Sequence, residues 1–427
     1  MPSNPPARLS AAKHRAKRVG TDCVLWSKDS HCLFPHAQRE LIRWLLLVHA
    51  RDGSCLASIP CELVGHLFQW CTWMERGLYT VHGVLLDVPC HYEVTVAHTT
   101  PRRVGRSEST VIRTDAQGGK QRFGLVKCEN ACATWDVVRE LELQAQLRHE
   151  NICSLEEILP PRNPHFNDLY FTTQHMDTNL QVVIQSQMEF TNHVPHFVYQ
   201  ILRGLRYMHS AGVVHQQLCP SVCKVNALCE LRLGNYGVEC RSSQHEKFGK
   251  VDATNLWYRA PEVLLGGCSP NPIAPAVDIW AAGCIFAELL SRRPLVPGRN
   301  YVSQLHLVCG FVGYPEEEDL DWVHNDAAKE FVLKLSRQER VPIEKAVPAL
   351  DSDPVAADLL SGMLQLTPAR RQSACDLLQH PYLKELHSPE DELVSSHCIA
   401  VSGGGGASPK PSDVRARLWS MIRRYQG

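Results

Sequence analysis

The chain predicts a bilobal α+β fold: a small antiparallel sheet with one helix against it, then a large helical lobe, both behind an N-terminal helical extension. Two patterns and the length carry this. Between Gly83 and Leu180 short apolar segments such as HYEVTVAH, RFGLVKCE and DLYFTTQHM read as strands, and one segment among them, TWDVVRELELQAQLRHEN, reads as a helix. From Gln181 onward helical patterns dominate. In FVYQILRGLRYMH, Phe197, Ile201, Leu205 and Met208 share one stripe, and VDIWAAGCIFAELL is apolar almost all round, as a helix at the centre of a lobe is. At 427 residues the chain admits two or three packed units, because one core rarely grows beyond roughly 250 to 300 residues.

Taken in order, residues 1–20 are basic, contain no acid and are broken by prolines. A mitochondrial presequence shares that bias, but the prolines and few apolar residues make a poor amphipathic helix, so the segment reads as a disordered tail. Residues 21–78 read as a helical module with a turn at Asp52 and Gly53. Its second helix opens at Ile59-Pro60 and places Leu63, Leu67 and Trp70 on one face. The stretch IPCELVGHLFQW resembles the first helix of an F-box or SOCS-box, which implies a ubiquitin-ligase subunit as partner. The sheet lobe spans 79–180 and the helical lobe 181–395. A flexible linker, 396–411, contains SGGGGASPKP. In the last segment, 412–427, Ser412 reads as an N-cap, and Val414, Leu418, Met421 or Ile422, and Tyr425 form an apolar stripe flanked by arginines.

Lys and Arg total 44 against 45 Asp and Glu, so no overall field favours nucleic acid or an anionic membrane. Hydrophobic residues make up 44% and charged residues 21%, the proportions of an ordinary soluble protein. The longest apolar run, IWAAGCIFA, is far short of the roughly 20 residues that span a bilayer. The 18 cysteines are scattered through apolar runs, which reads as reduced thiols in the cytoplasm, with the nucleus as the other compartment. Cys128 with Cys132, and Cys219 with Cys223, lack the two-residue spacing that lets paired thiolates grip zinc, so packing is their expected role.

A strand lobe followed by HQQLCPSV, NYG and WYRAPEVLL in that order resembles the protein kinases. RELELQAQLRHENI, YQILRGLRYMHSAGVVH, VDIWAAGCIFAELLSRRPLVPGRNY, GYPEEEDL and HPYLKEL narrow the resemblance to the mitogen-activated protein kinases. It spans about Tyr79 to Tyr425, and implies that the last segment is a helix packing back on the kinase lobes.

Kinase catalysis rests on positioning and charge neutralisation, with a carboxylate at the attacking hydroxyl and metal ions held by an Asp and an Asn. In the loop that the family writes HRDLKPSN, Gln217 stands at the catalytic Asp position, Cys219 at the Lys position and Val222 at the metal-binding Asn position. Asn235 stands at the Asp of DFG. A neutral amide accepts no proton near neutral pH, where a positioned acid or base contributes about 10²- to 10⁴-fold. Magnesium prefers charged oxygen ligands. No metal site is expected.

For a nucleotide, the resemblance assigns Lys127 to the phosphate-binding strand lysine, Glu140 to its helix partner, Thr173 to the gatekeeper and Met176 to the hinge. Leu125 and Lys224 then fall against adenine from above and below and occlude it. The glycine-rich loop is degraded whether it opens at Gly105, with Ser107 and Thr110 in place of the later glycines, or lies at AHTTPRRV. No cofactor is expected, and ATP with magnesium only if residual nucleotide binding survives. His215, Asp278, Glu262 and Arg371 keep the family's structural positions. The Thr-x-Tyr activation triplet is missing, and Gln216 replaces the arginine that would read its phosphate. Glu390, Asp391 and Glu392 lie near the family's docking site for basic peptides, with Ser388 in place of its first Asp. The expectation is a pseudokinase that scaffolds or competes in signalling by binding proteins. The alternatives are a divergent active serine/threonine kinase and a ubiquitin-ligase substrate adaptor.

Overall fold

The computed structural model describes residues 79–81, 92–96, 106–114, 120–133, 135–161, 165–236, 256–266, 274–335, 339–399 and 410–426. The tail and helical module, 1–78, and the stretch 237–255 lie outside them, as do Gly105 and AHTTPRRV. The described residues all fall within one compact unit, Val64–Gly427.

Six strands form the first sheet: β1 (Tyr79–Val81), β2 (Tyr92–Val96), β3 (Arg106–Thr114), β4 (Lys120–Cys128), β5 (Leu155–Leu159) and β6 (Leu169–Gln174). Their order is β1-β2-β3-β4-β6-β5 and every pairing is antiparallel. Side chains alternate along a strand, so Gly124, Val126 and Cys128 of β4 share a face. Val126 and Cys128 pack there with Val138 and Leu141 of helix α1 (Asp136–Gln146) and with Phe171 of β6. The helix is shorter than the sequence pattern implies. Leu147 turns extended, at φ −76° and ψ 118°, and the chain then crosses to the helical lobe. Asn151 is fixed there by Nδ2 bonds to Gln200 Oε1 (3.1 Å) and Leu231 O (2.9 Å).

A second antiparallel sheet of β7 (Thr178–Asn179), β8 (Cys223–Val225) and β9 (Leu231–Leu233) meets the first through the Lys224 and Glu108 side chains and serves as the floor opposite it. Helix α2 (Leu180–Gln185) starts where the Asn179 side chain accepts the Val182 N–H, an N-cap in the usual sense. The long helix α3 (Val194–Ser210) and the central helix α4 (Ala276–Ser291) build the main core; Trp280, Ile285 and Phe286 of α4 are fully buried. Among the described residues no helix is long and apolar enough to cross a membrane.

The C-terminal helix α5 (Pro411–Gln426) packs on the first lobe, with Val414, Leu418, Met421 and Ile422 in one cluster with Val138, Leu141, Leu155 and Ile158. Arg417 Nε donates to Glu142 at 2.8 Å. Two boundaries need correction. Ser412 lies inside this helix, its hydroxyl on Asp413, because Pro411 supplies the first helical position. The segment assigned to the linker is anchored at residue 399. Ile399 is buried and its N–H bonds Ala211 O at 2.8 Å, capping the end of α3.

Replacing Leu418, 1% exposed, by Ala should cost about 2–5 kcal/mol, read as a fall in the denaturation midpoint. A second outcome concerns pH. Burial, with Arg203 and Arg232 nearby, pushes His149 from 6.5 down to about 4. The unfolded chain therefore binds the extra proton first. Stability should be complete above about pH 6.5 and decline towards pH 4 by on the order of 3 kcal/mol. Denaturant titrations at pH 7 and 4.5 should show this contribution shrink in His149→Gln.

Candidate functional site

The candidate site is the cleft between the first sheet and the loop 215–225, and a single carboxylate shapes that loop. Asp278, near the start of α4 and 1% exposed, accepts the His215 N–H at 2.7 Å and the Gln216 N–H at 2.8 Å, and also bonds His209 Nε2 at 2.9 Å. These contacts hold Gln216 in the left-handed region at φ 65°, unusual for a residue other than glycine. His215, fully buried, bonds Gly234 O through Nε2 at 3.0 Å and sets its ring edge-on to Tyr236. Tyr236 in turn donates to Cys153 O, and burial pushes its hydroxyl far above the usual range. The loop is thus locked from both sides.

What this frame presents is mostly uncharged. Gln217 borders a cavity of about 80 Å³ with Tyr258, Arg259 and Ala260. Cys219 is buried, its Sγ 3.2 Å from Ser221 Oγ, and Val222 is 4% exposed. Asn235 takes the left-handed conformation, φ 57°, which Asn tolerates. Cys223 is fully buried and its thiol is raised by desolvation. Among the described residues no group of His, Cys, Asp and Glu is arranged to hold a metal ion.

The sheet side of the cleft corrects the nucleotide assignment. Lys127 does not reach Glu140: its Nζ pairs with Glu129 at 3.0 Å and Asp168 at 3.2 Å, while Glu140, 1% exposed, accepts from Gln144 Nε2. The reason is strand parity. The face that α1 covers carries Gly124 and Val126, so Leu125 and Lys127 point to the opposite one. A one-residue shift moves every side chain across the sheet. Leu125 therefore does not occlude an adenine slot; Gly124 takes that inward position, and Val126 takes the one ascribed to Lys127. Gly124 pairs with Thr173, and a Cβ on it would stand 3.0 Å from Thr173 Oγ1, so only glycine fits beside that gatekeeper without displacement. Met176 is half-buried between β6 and β7.

Opposite Val126 and Gly124, β3 presents Glu108 and Thr110. The Thr110 hydroxyl is 3.5 Å from His175 Nδ1. Glu108 forms an ion pair with Lys224 of β8. Lys224 does lie on the floor, but its charge is matched from the roof. No local signal in the sequence marks Glu108, because GRSESTVI reads as a glycine-poor loop and its partner lies 116 positions away.

Glu262 and Arg371 form a bidentate pair at 2.6 and 2.7 Å, with Arg371 also donating to Ala276 O and Gln365 O and lying over the Trp280 ring. The acidic docking trio needs a second correction. Glu390 and Asp391 are exposed, but Glu392 is turned inward, 3% exposed, bonded to Arg206 (2.7 Å), His387 (2.6 Å) and the Tyr199 hydroxyl. Two of the three carboxylates, Glu390 and Asp391, remain at the surface.

Residues 124–383 match the protein kinase domain family model. The chain is 40% identical to a mitogen-activated protein kinase homolog of Nicotiana tabacum over 360 residues, covering 82% of this chain and 94% of the relative. It is 36% identical to mitogen-activated protein kinase 2 of Oryza sativa over 81% of this chain and 87% of the relative. Extracellular signal-regulated kinase 1 of Dictyostelium discoideum is 38% identical over 76% of this chain and 61% of its own length.

Arg371→Met leaves Glu262 as a stranded, mostly buried charge, which should cost about 3–5 kcal/mol. Equilibrium unfolding should show a smaller loss when Glu262→Gln is added to it.

Proposed function

The chain belongs to the protein kinase family, on its mitogen-activated branch, and on that premise we propose that it is a pseudokinase: a protein-binding scaffold or competitor in intracellular signalling that has lost phosphoryl transfer. One observation carries the reading. No carboxylate stands where the reaction needs to orient the attacking hydroxyl or to hold metal, since Gln217, Val222 and Asn235 occupy those places.

The donor set does not fit magnesium. Val222 is buried and has no side-chain oxygen, and Asn235 offers only a neutral amide. The phosphate side fits no better, because Val126 replaces a lysine that would pair with the phosphates and with Glu140. Protein binding rests on the exposed Glu390 and Asp391, which suit a basic docking peptide. A cytoplasmic or nuclear setting agrees with the free, mostly buried cysteines of the described residues.

A divergent, active serine/threonine kinase using ATP and magnesium is the second reading. It is supported by relatives at 34–40% identity that are named as kinases, and the comparisons favour it over the first. The ubiquitin-ligase adaptor rests on residues 21–78 alone, which lie outside the described ones.

Thermal unfolding with millimolar ATP and magnesium separates the two main readings. A ligand at 100 times its Kd stabilises by about 2.7 kcal/mol, so the pseudokinase should show no shift in Tm and no transfer from labelled ATP. Magnesium-dependent transfer that co-elutes with the protein and is lost in Gln217→Ala would overturn the proposal.

A further inference from the structure

Glu108 and Lys224 come from opposite walls of the cleft. Glu108 hangs from β3 opposite Val126, one inward step from the Thr110 and Gly124 pair beside Thr173. Lys224 is the middle residue of β8, between Cys223 and Val225, both buried below, so its side chain rises from the floor. The Lys224 stem passes Gly234, where a Cβ would stand 3.7 Å from Lys224 Cε. The two side chains meet as an ion pair with 13% of Lys224 and 19% of Glu108 exposed.

The kinase resemblance sets Lys224 beneath adenine, so that pair runs through the space where a flat heteroaromatic base would lie between roof and floor. A purine needs apolar surface on both faces, and here it would have to separate two opposite charges already shielded from water. Separating them leaves each charge in a partly dry site without its partner, a larger cost than losing an exposed pair. A phosphate tail would also run under the Glu108 carboxylate, with no lysine at Val126 to offset the repulsion. The geometry points to Glu108 and Lys224 as the specificity determinants that keep adenine nucleotides out, and to their ion pair as the clasp that joins roof to floor in place of a nucleotide. This deepens the reading above and rests on its placement of the nucleotide cleft.

The experiment uses the full chain in four forms beside the natural one: Lys224→Leu, Glu108→Gln, the reversal Glu108→Lys with Lys224→Glu, and the opened form Glu108→Gly with Lys224→Leu. Each single substitution should lower Tm by about 2–4 °C or more, and the reversal should recover at least half of that fall. A fluorescent ATP analogue without metal should bind the opened form at least tenfold more tightly than the natural chain and the reversal. A reversal no more stable than the singles, or an opened form that binds no better, overturns the proposal and leaves the pseudokinase reading standing. So does a natural chain that binds the analogue but transfers no phosphate. Transfer by the natural chain is the separate result that sinks the pseudokinase reading.

Discussion

The buried carboxylate of Asp278 is the contact on which the site depends. It accepts two successive backbone N–H groups, from His215 and Gln216, and bonds His209 as well. Those N–H groups would be orphaned without it, because the loop there belongs to neither helix nor sheet. With Asp278 in place, Gln216 is held at positive φ, His215 reaches Gly234 O, and the next strand begins at Cys223. The floor of the cleft follows from that one side chain.

The charges that hold the scaffold differ physically from the positions that the family uses for chemistry. Asp278, Arg371 and Glu262 are charges in dry surroundings whose partners would be stranded if any one changed. Positions 217, 219 and 222 carry no such obligation: glutamine, cysteine and valine can fill them without stranding a charge, whereas at 126, where valine joins the apolar packing beneath α1, the buried Glu140 carboxylate is met by Gln144 Nε2. Uncharged side chains at 217, 219 and 222 therefore leave the fold standing. The same logic explains Glu392, whose carboxylate is drawn inward by Arg206, His387 and Tyr199 and no longer serves the surface.

The helix α5 ties the two ends of this argument together. It covers α1 and β5 with four buried apolar residues, and its Arg417 meets Glu142 on α1. The helix that carries Glu140 is thus packed from its far side by the end of the chain. Position of α1 is set by apolar contact and by that pair, with Lys127 uninvolved.

Much of this was legible in the residues themselves. The period-3.6 stripe of Phe197, Ile201, Leu205 and Met208, the uniform apolarity of 277–290 and the ordered kinase-like motifs are local patterns, and local patterns survive without coordinates. The identities of Gln217, Val222 and Asn235 are equally local, since they need only the residue at each place in a recognisable loop. Strand parity was not legible, because RFGLVKC is apolar on both faces and neither register of Lys127 breaks a pattern. The Glu108 and Lys224 pair was not legible either, since it joins positions with no local relation. Sequence by itself determined the fold and the residue types in the catalytic-loop motif, because both are written in short-range pattern and chemical type. Tertiary structure alone decided which way each strand residue points and which distant charges meet, because both depend on how β3, β4 and β8 are brought together in space.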